Sequence, residues 1–140
     1  MISIRPANES DVEVLCSLDL IAHRDNQRRE FIRHSVASGT CYVAVAEQTV
    51  IGYGVLNYTF FNNGNIDMLY VHSDHRRRGA ATALLQHMES HCETPKLFIT
   101  TNLSNLPMQS LLTRFEYVLS GIIQNLDEGD PELVYFKRLR

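Results

Sequence analysis

The run Ile66-Asp67-Met68-Leu69-Tyr70-Val71-His72-Ser73-Asp74-His75-Arg76-Arg77-Arg78-Gly79-Ala80-Ala81-Thr82 decides how the chain reads. Its first six residues are largely apolar, with Asp67 the only formal charge, which predicts a strand central in a sheet. From Gly79 the period changes. Ala81, Leu84, Leu85 and Met88 fall at i, i+3, i+4 and i+7, one stripe of an amphipathic helix running to about Cys92. Three arginines and a glycine therefore sit where a buried strand becomes a helix. A helix N-terminus exposes unpaired NH groups and about half a unit of positive charge, and a glycine there allows close backbone approach. Adjacent arginines add charge-assisted hydrogen bonds, so the turn suits an anion, a diphosphate best. The competing reading makes Arg76 to Arg78 a solvated turn in which Gly79 only relieves strain. The absence of G-x-G-x-x-G argues against a Rossmann loop, and the absence of G-x-x-x-x-G-K-[ST] excludes a P-loop.

Outward from this unit, Ile2-Ser3-Ile4-Arg5 alternates apolar with polar and stops at Pro6, a short half-buried strand. Ser10 and Glu13 have capping-box spacing ahead of a helix with Val12, Leu15, Cys16 and Leu18 on its apolar face. A second helix is expected over about Asn26 to Ser38, closed by Gly39. Thr40 to Ala46 and Thr49 to Leu56 read as a hairpin around Glu47-Gln48, and Asn62-Asn63-Gly64 reads as the turn before the strand from Ile66. Beyond the helix, Lys96 to Thr101 is a buried-type strand and Leu106 to Phe115 a helix. Tyr117 to Ile122 and Leu133 to Leu139 are strands flanking the acidic turn Asp127-Glu128-Gly129-Asp130-Pro131. The order is β-α-α-β-β-β-α-β-α-β-β, a mixed α/β (α+β) class. The crossover from the Ile66 strand to the Leu97 strand implies parallel pairing there.

The 140 residues suffice for one core without disulfide or structural metal, and 1–140 is expected to be a single domain. Thirteen Lys and Arg against 16 Asp and Glu, a net charge of −3, argue against wholesale polyanion or nucleic-acid binding, so any anion site must be local. Cys16, Cys41 and Cys92 are odd in number and widely spaced, as expected of thiols in a reducing cytoplasm. The N-terminus lacks signal-peptide design and no apolar run approaches the ~20 residues that span a bilayer, so a cytoplasmic, non-membrane chain is expected.

With these residues in place, the sequence resembles the GNAT superfamily of N-acetyltransferases. Arg76-Arg77-Arg78-Gly79-Ala80-Ala81 matches that family's pyrophosphate loop, [QR]-x-x-G-x-[GA], directly after a strand ending Leu69-Tyr70-Val71. Asn105 with Met108, Leu111 and Leu112 resembles the helix beside the cofactor's pantetheine arm, and the element order agrees from end to end. The resemblance implies one N-acetyltransferase domain with a mostly antiparallel mixed sheet flanked by helices. Its fourth and fifth strands would pair in parallel and splay to admit acetyl-CoA. It further implies that the backbone of Leu69, Tyr70 and Val71 pairs with the pantetheine amides and that NH groups from Arg76, Arg77, Arg78, Gly79, Ala80, Ala81 and Thr82 hold the pyrophosphate. Arg77 and Arg78 are the expected side-chain partners of the phosphates, and Asn105 of the pantetheine. The acceptor is expected to be a small-molecule or amino-acid-like primary amine, and a homodimer is compatible with the resemblance.

In such chemistry the amine attacks the thioester directly, and the enzyme supplies orientation, a proton route and oxyanion stabilisation. Asp67 is the candidate base, expected to be buried enough to raise its pKa; the alternative is a structural carboxylate. Leu112 stands where the family often has the tyrosine that protonates the thiolate, which leaves an acyl-CoA-binding sensor with little turnover as the alternative function. Glu116-Tyr117 replaces a usual Gly-Phe, with Tyr117 expected in the core. His87 and His91 lie i, i+4 beside Cys92 but lack a third metal ligand, so an exposed helix face is expected. His72 and His75 flank the loop, and His23 and His34 fall in the region that covers the acceptor. Tyr58-Thr59-Phe60-Phe61 either plugs the core or lines an acceptor pocket.

Overall fold

The computed structural model describes all residues from Met1 to Arg140. The elements run β1 (Ile2–Pro6), α1 (Asp11–Leu18), α2 (Asn26–Ala37), β2 (Cys41–Ala46), β3 (Thr49–Phe60) and β4 (Asn63–Val71). A 3-10 turn (Ser73–His75) follows, then α3 (Ala80–His91), β5 (Lys96–Asn102), α4 (Leu106–Arg114), β6 (Val118–Ile123) and β7 (Glu132–Arg138). One mixed sheet has the order β1-β2-β3-β4-β5-β7-β6. The expected parallel pairing holds between β4 and β5, and the β1–β2, β2–β3, β5–β7 and β6–β7 pairs are antiparallel.

Contacts divide the chain into two compact units. The first comprises Met1–Leu56 and Met68–His91. Val12, Leu15, Ala22, Ile32 and Val36 from the two N-terminal helices pack there against Cys41, Val43, Tyr53 and Val55 of β2 and β3. On α3 the buried stripe is Ala80, Leu84, Leu85 and Met88, one position off the expected start at Ala81. Glycine in β3 has a packing cause: a Cβ on Gly52 would stand 2.6 Å from the Tyr70 carbonyl oxygen, so only Gly lets β3 lie this close to the end of β4.

The second unit comprises Asn57–Asp67 and Cys92–Arg140. Here β3 runs four residues beyond the expected Leu56, and the rings of Phe60, Phe98 and Phe136 form a chain with centroids 4.9 and 5.7 Å apart. Phe60 therefore packs within the sheet, while Phe61 at the tip is exposed. The reversal falls on Phe61 and Asn62, whose φ values of 54° and 64° make the two-residue turn that suits a hairpin. Asn63 and Gly64 belong instead to β4. Gly64 is required there because a Cβ would meet the Cys92 Sγ at 2.4 Å.

The capping box at Ser10 does not form. Ser10 has helical backbone angles and no side-chain cap bond. Asn8 instead accepts from the Ser10 N–H, and the Asp11 carboxylate accepts from the Asn8 N–H at 2.8 Å and from Arg5 at 2.8 and 3.1 Å. The Arg5 hydrogen bond holds the Asp11 carboxyl below the usual aspartate range. An acid one residue away, with an arginine in reach on β1, thus displaces the expected motif.

Candidate active site

The parallel ladder joins Gly64, Asn65 and Ile66 of β4 to Leu97, Phe98 and Ile99 of β5 and extends no further. β4 continues to Val71, so Leu69, Tyr70 and Val71 carry backbone amides outside that ladder, while Thr100 to Asn102 pair with β7. The chain leaves β4 with the His72 N–H donating to the Ile51 carbonyl at 2.9 Å. The 3-10 turn follows, closed by the His72 imidazole accepting from the Asp74 N–H.

The three arginines differ in what they do. Arg76 turns back, its Nε donating to the Val71 carbonyl at 3.2 Å, and so clamps the end of β4. Arg78 lies 2.9 Å from His75 Nδ1 and 3.6 Å from a Glu47 carboxylate oxygen. Arg77 is exposed, has no such side-chain partner, and holds a left-handed φ of 67°. Gly79 has φ 86°, which favours glycine. The first bond into α3 runs from the Ala83 N–H to the Gly79 carbonyl at 2.9 Å, so the N–H groups of Ala80, Ala81 and Thr82 find no acceptor within the helix. Gly79 has no side chain with which to cap them. The arrangement offers a row of backbone donors, the positive end of a helix and one free guanidinium to an anion.

Asp67 lies in the second unit and is exposed, and its carboxylate accepts from the Asn57 carboxamide at 3.1 Å. The expected burial is absent, because Asp67 falls on the open face of a strand whose neighbour Ile66 points inward. Asn105 is the N-cap of α4, its side-chain oxygen accepting from the Met108 N–H at 3.2 Å. Leu112 is fully buried and Tyr117 points into the core as expected. Glu116, at the position where the resemblance implied Gly, has a left-handed φ of 70°. Of the histidines, His87 and His91 stack at 4.1 Å with Tyr42 against His87, and His23 Nε2 lies 2.7 Å from the Ser17 carbonyl. His87 is half-buried rather than fully exposed, and that burial, with His91 beside it, lowers its pKa. His72 and His75 line a shallow groove of about 490 Å³ with residues of α1 and Thr49-Val50.

Residues 9–117 match the acetyltransferase (GNAT) family. The chain belongs to that family. An acetyltransferase of the GNAT family from Bacillus cereus ATCC 10987 is 33% identical, with a TM-score of 0.92 over 99% of this chain and 97% of that one. A Salmonella typhimurium acetyltransferase solved with acetyl-CoA shares the fold at 14% identity and a TM-score of 0.79, over 99% of this chain and 94% of that one. The ribosomal-protein-S18-alanine N-acetyltransferase of Escherichia coli does so at 14% and 0.80, over 99% and 94%. No curated protein matches. Acetyl transfer from acetyl-CoA is the chemistry of this family.

One buried polar cluster escaped the sequence reading. Asp19, wholly buried at the end of α1, accepts on one oxygen from Tyr53 and Arg28, each at 2.6 Å, and on the other from the Ile21 N–H at 3.0 Å. The next amide, Leu20 N–H, donates to the Tyr70 hydroxyl at 3.2 Å, and Arg28 also reaches the Met68 sulfur. Burial, reinforced by the Asp19 charge, pushes the Tyr53 phenol far above its ordinary range, so it stays a donor. The α1–α2 connection is thereby tied to Tyr53 of β3 and Tyr70 of β4. No spacing marks Asp19, Arg28 and Tyr53 as partners. Only the Gly52-Tyr53-Gly54 run, unusual inside a strand, hinted at close approach.

Proposed function

We propose that this acetyltransferase moves the acetyl group of acetyl-CoA to the primary amine of a small-molecule or amino-acid-like acceptor by direct attack. The observation that carries the reading is the seat at Gly79–Thr82, where unpaired amides and the free Arg77 follow directly on the end of β4 that lies beyond its ladder with β5. In this reading Arg76, Arg77, Arg78, Gly79, Ala80, Ala81 and Thr82 hold the pyrophosphate, Leu69, Tyr70 and Val71 pair with the pantetheine amides, and the Asn105 NH2 contacts the pantetheine arm. The amine nitrogen bonds to the thioester carbon, the C–S bond breaks, and the thiolate leaves. The amine's proton passes to Asp67, held by Asn57, or through it to water. With Leu112 in place of a phenol, the thiolate takes its proton from solvent. Residues 1–140 act as one transferase domain in the cytoplasm.

Leu112 also favours a second reading, an acyl-CoA-binding sensor with little turnover. A thermal-shift panel separates the possibilities. Acetyl-CoA at 100 times its dissociation constant should stabilise the protein by about 2.7 kcal/mol and ADP by much less. No shift with any CoA ester would remove both readings. Free-thiol release across primary amines, polyamines and peptides then decides between enzyme and sensor. Asp67→Asn should lower turnover at least ~10-fold at neutral pH without changing acetyl-CoA affinity.

A further inference from the structure

The last residues of β3, Asn57-Tyr58-Thr59-Phe60, divide between the two faces of the strand. Tyr58 and Phe60 lie two apart, on one face, and both are anchored. The Tyr58 hydroxyl accepts from the Glu93 N–H at 3.0 Å, and the Phe60 ring lies with its centroid 4.9 Å from that of Phe98. Asn57 and Thr59 alternate with them and share the other face. All of these residues, together with Asp67 of β4, belong to the second unit.

Three side chains then form a directed chain of hydrogen bonds. The Thr59 hydroxyl donates to Asn57 Oδ1 at 2.8 Å, and the Thr59 N–H donates to the same oxygen at 3.3 Å. A backbone N–H can only donate, so Oδ1 is fixed as the acceptor and the NH2 of the carboxamide must point the other way. There Nδ2 donates to Asp67 Oδ2 at 3.1 Å. A carboxamide turned over would set its oxygen against the carboxylate and its NH2 against the Thr59 N–H, so Thr59 leaves Asn57 one orientation. The second carboxylate oxygen, Oδ1, has no hydrogen-bond partner in the protein, and Asp67 is exposed. One oxygen is held and the other is open to a proton. Packing gives no reason for this chain, since Thr59 and Asp67 are both exposed and Tyr58 and Phe60 already fix the strand.

We propose that Thr59 is a positioning residue for acetyl transfer, acting through Asn57 to hold Asp67 Oδ2 so that Oδ1 receives the proton of the attacking amine. The inference rests on the reading of Asp67 as the base. As the nitrogen bonds to the thioester carbon, its N–H bond breaks, an O–H bond forms at Oδ1, and the neutral acid then returns the proton to water. A carboxylate free to turn would spend less time in reach of that proton. Thiol release from acetyl-CoA is followed with whichever primary amine of the panel turns over fastest. Thr59→Val should lower kcat about 3–10-fold with KM for acetyl-CoA unchanged, a partial loss because the backbone bond to Asn57 remains. Thr59→Ser restores the hydroxyl and should stay within about twofold of the native chain. Asn57→Leu should lose at least as much as Thr59→Val, and carries the same test should the valine variant misfold. In an Asp67→Asn background Thr59→Val should cost nothing further, whereas a general loosening of the strand would cost the same in both backgrounds. Unchanged turnover in Asp67→Asn, or no thiol release from the native chain with any amine, would overturn the base reading and the proposal with it. A loss in Asp67→Asn beside native turnover in Thr59→Val and Asn57→Leu, a serine variant as slow as the valine one, or an equal valine penalty in both backgrounds would overturn the positioning role alone.

Discussion

Replacing Asp19 by Asn keeps the size of the side chain but removes the charge on which Tyr53 and Arg28 converge. Asp19 is 0% exposed and the Arg28 side chain 18%. Breaking a buried ion pair from one side costs about 3–5 kcal/mol, because the remaining charge is left desolvated. Arg28 keeps some access to water, which places the expected loss near ~3 kcal/mol. Against a total stability of about 7–14 kcal/mol at ~0.05–0.1 kcal/mol per residue, this is a large fraction. It corresponds to a melting-temperature drop of roughly 12 °C at ~4 °C per kcal/mol. Tyr53→Phe removes one hydrogen bond to the carboxylate but leaves the ion pair, so it should cost less, about 1.5–3 kcal/mol. Since both changes break the same bond, the double variant should fall short of additivity by about 1 kcal/mol or more. The chain has no tryptophan, so urea unfolding is best followed by far-UV circular dichroism. A loss below ~1 kcal/mol for Asp19→Asn, or additivity within ~0.5 kcal/mol, would refute the coupled network.

Three further outcomes follow from particular contacts. Asp11→Asn should destabilise by about 1–2 kcal/mol at pH 7. Since the folded carboxyl titrates below its unfolded value of ~3.9, the native chain's advantage is complete above that pH and vanishes as pH falls through the lowered folded value, which urea titrations from pH 7 to pH 2 would follow. Arg77→Ala and Arg77→Gly should both weaken acetyl-CoA binding about 3–10-fold by calorimetry, with the loss shrinking in high salt. The glycine variant should be the more stable of the two by about 0.5–1 kcal/mol, because φ at that position is 67°. Burial pushes the Cys41 thiol up to about 12, so a thiol reagent at pH 8 should label half-exposed Cys16 first and leave Cys41 unmodified until the protein unfolds.

Local signals read well where the physics is local. The basic turn, the change of period at Gly79, and the β-branched strands predicted elements that differ from the structure by only a residue or two at most ends. They failed where a distant partner outbid the local pattern. The Ser10 cap lost to Asp11 because Arg5 is folded beside it, and Asn63-Gly64 became strand because Gly64 pairs with Leu97 of β5 and donates to the Thr94 hydroxyl. Asp67 was rightly placed on the central strand but wrongly expected to be buried, since strand alternation turned it outward. At the basic turn, sequence located the end of the strand and the start of the helix but could not divide the labour of the arginines between them. That Arg76 clamps β4 while Arg77 stays free depends on a left-handed φ that no arginine announces.

By itself, then, the sequence determined the order of elements, the parallel crossover and the position of the basic turn between strand and helix, because these arise from periodicity, turn chemistry and the helix terminus along a few neighbouring residues. Only the tertiary structure decided which charges are buried together, as at Asp19, Arg28 and Tyr53, and which strand is left uncovered, as at β6. Both depend on contacts between residues far apart in the chain, whose spacing carries no period.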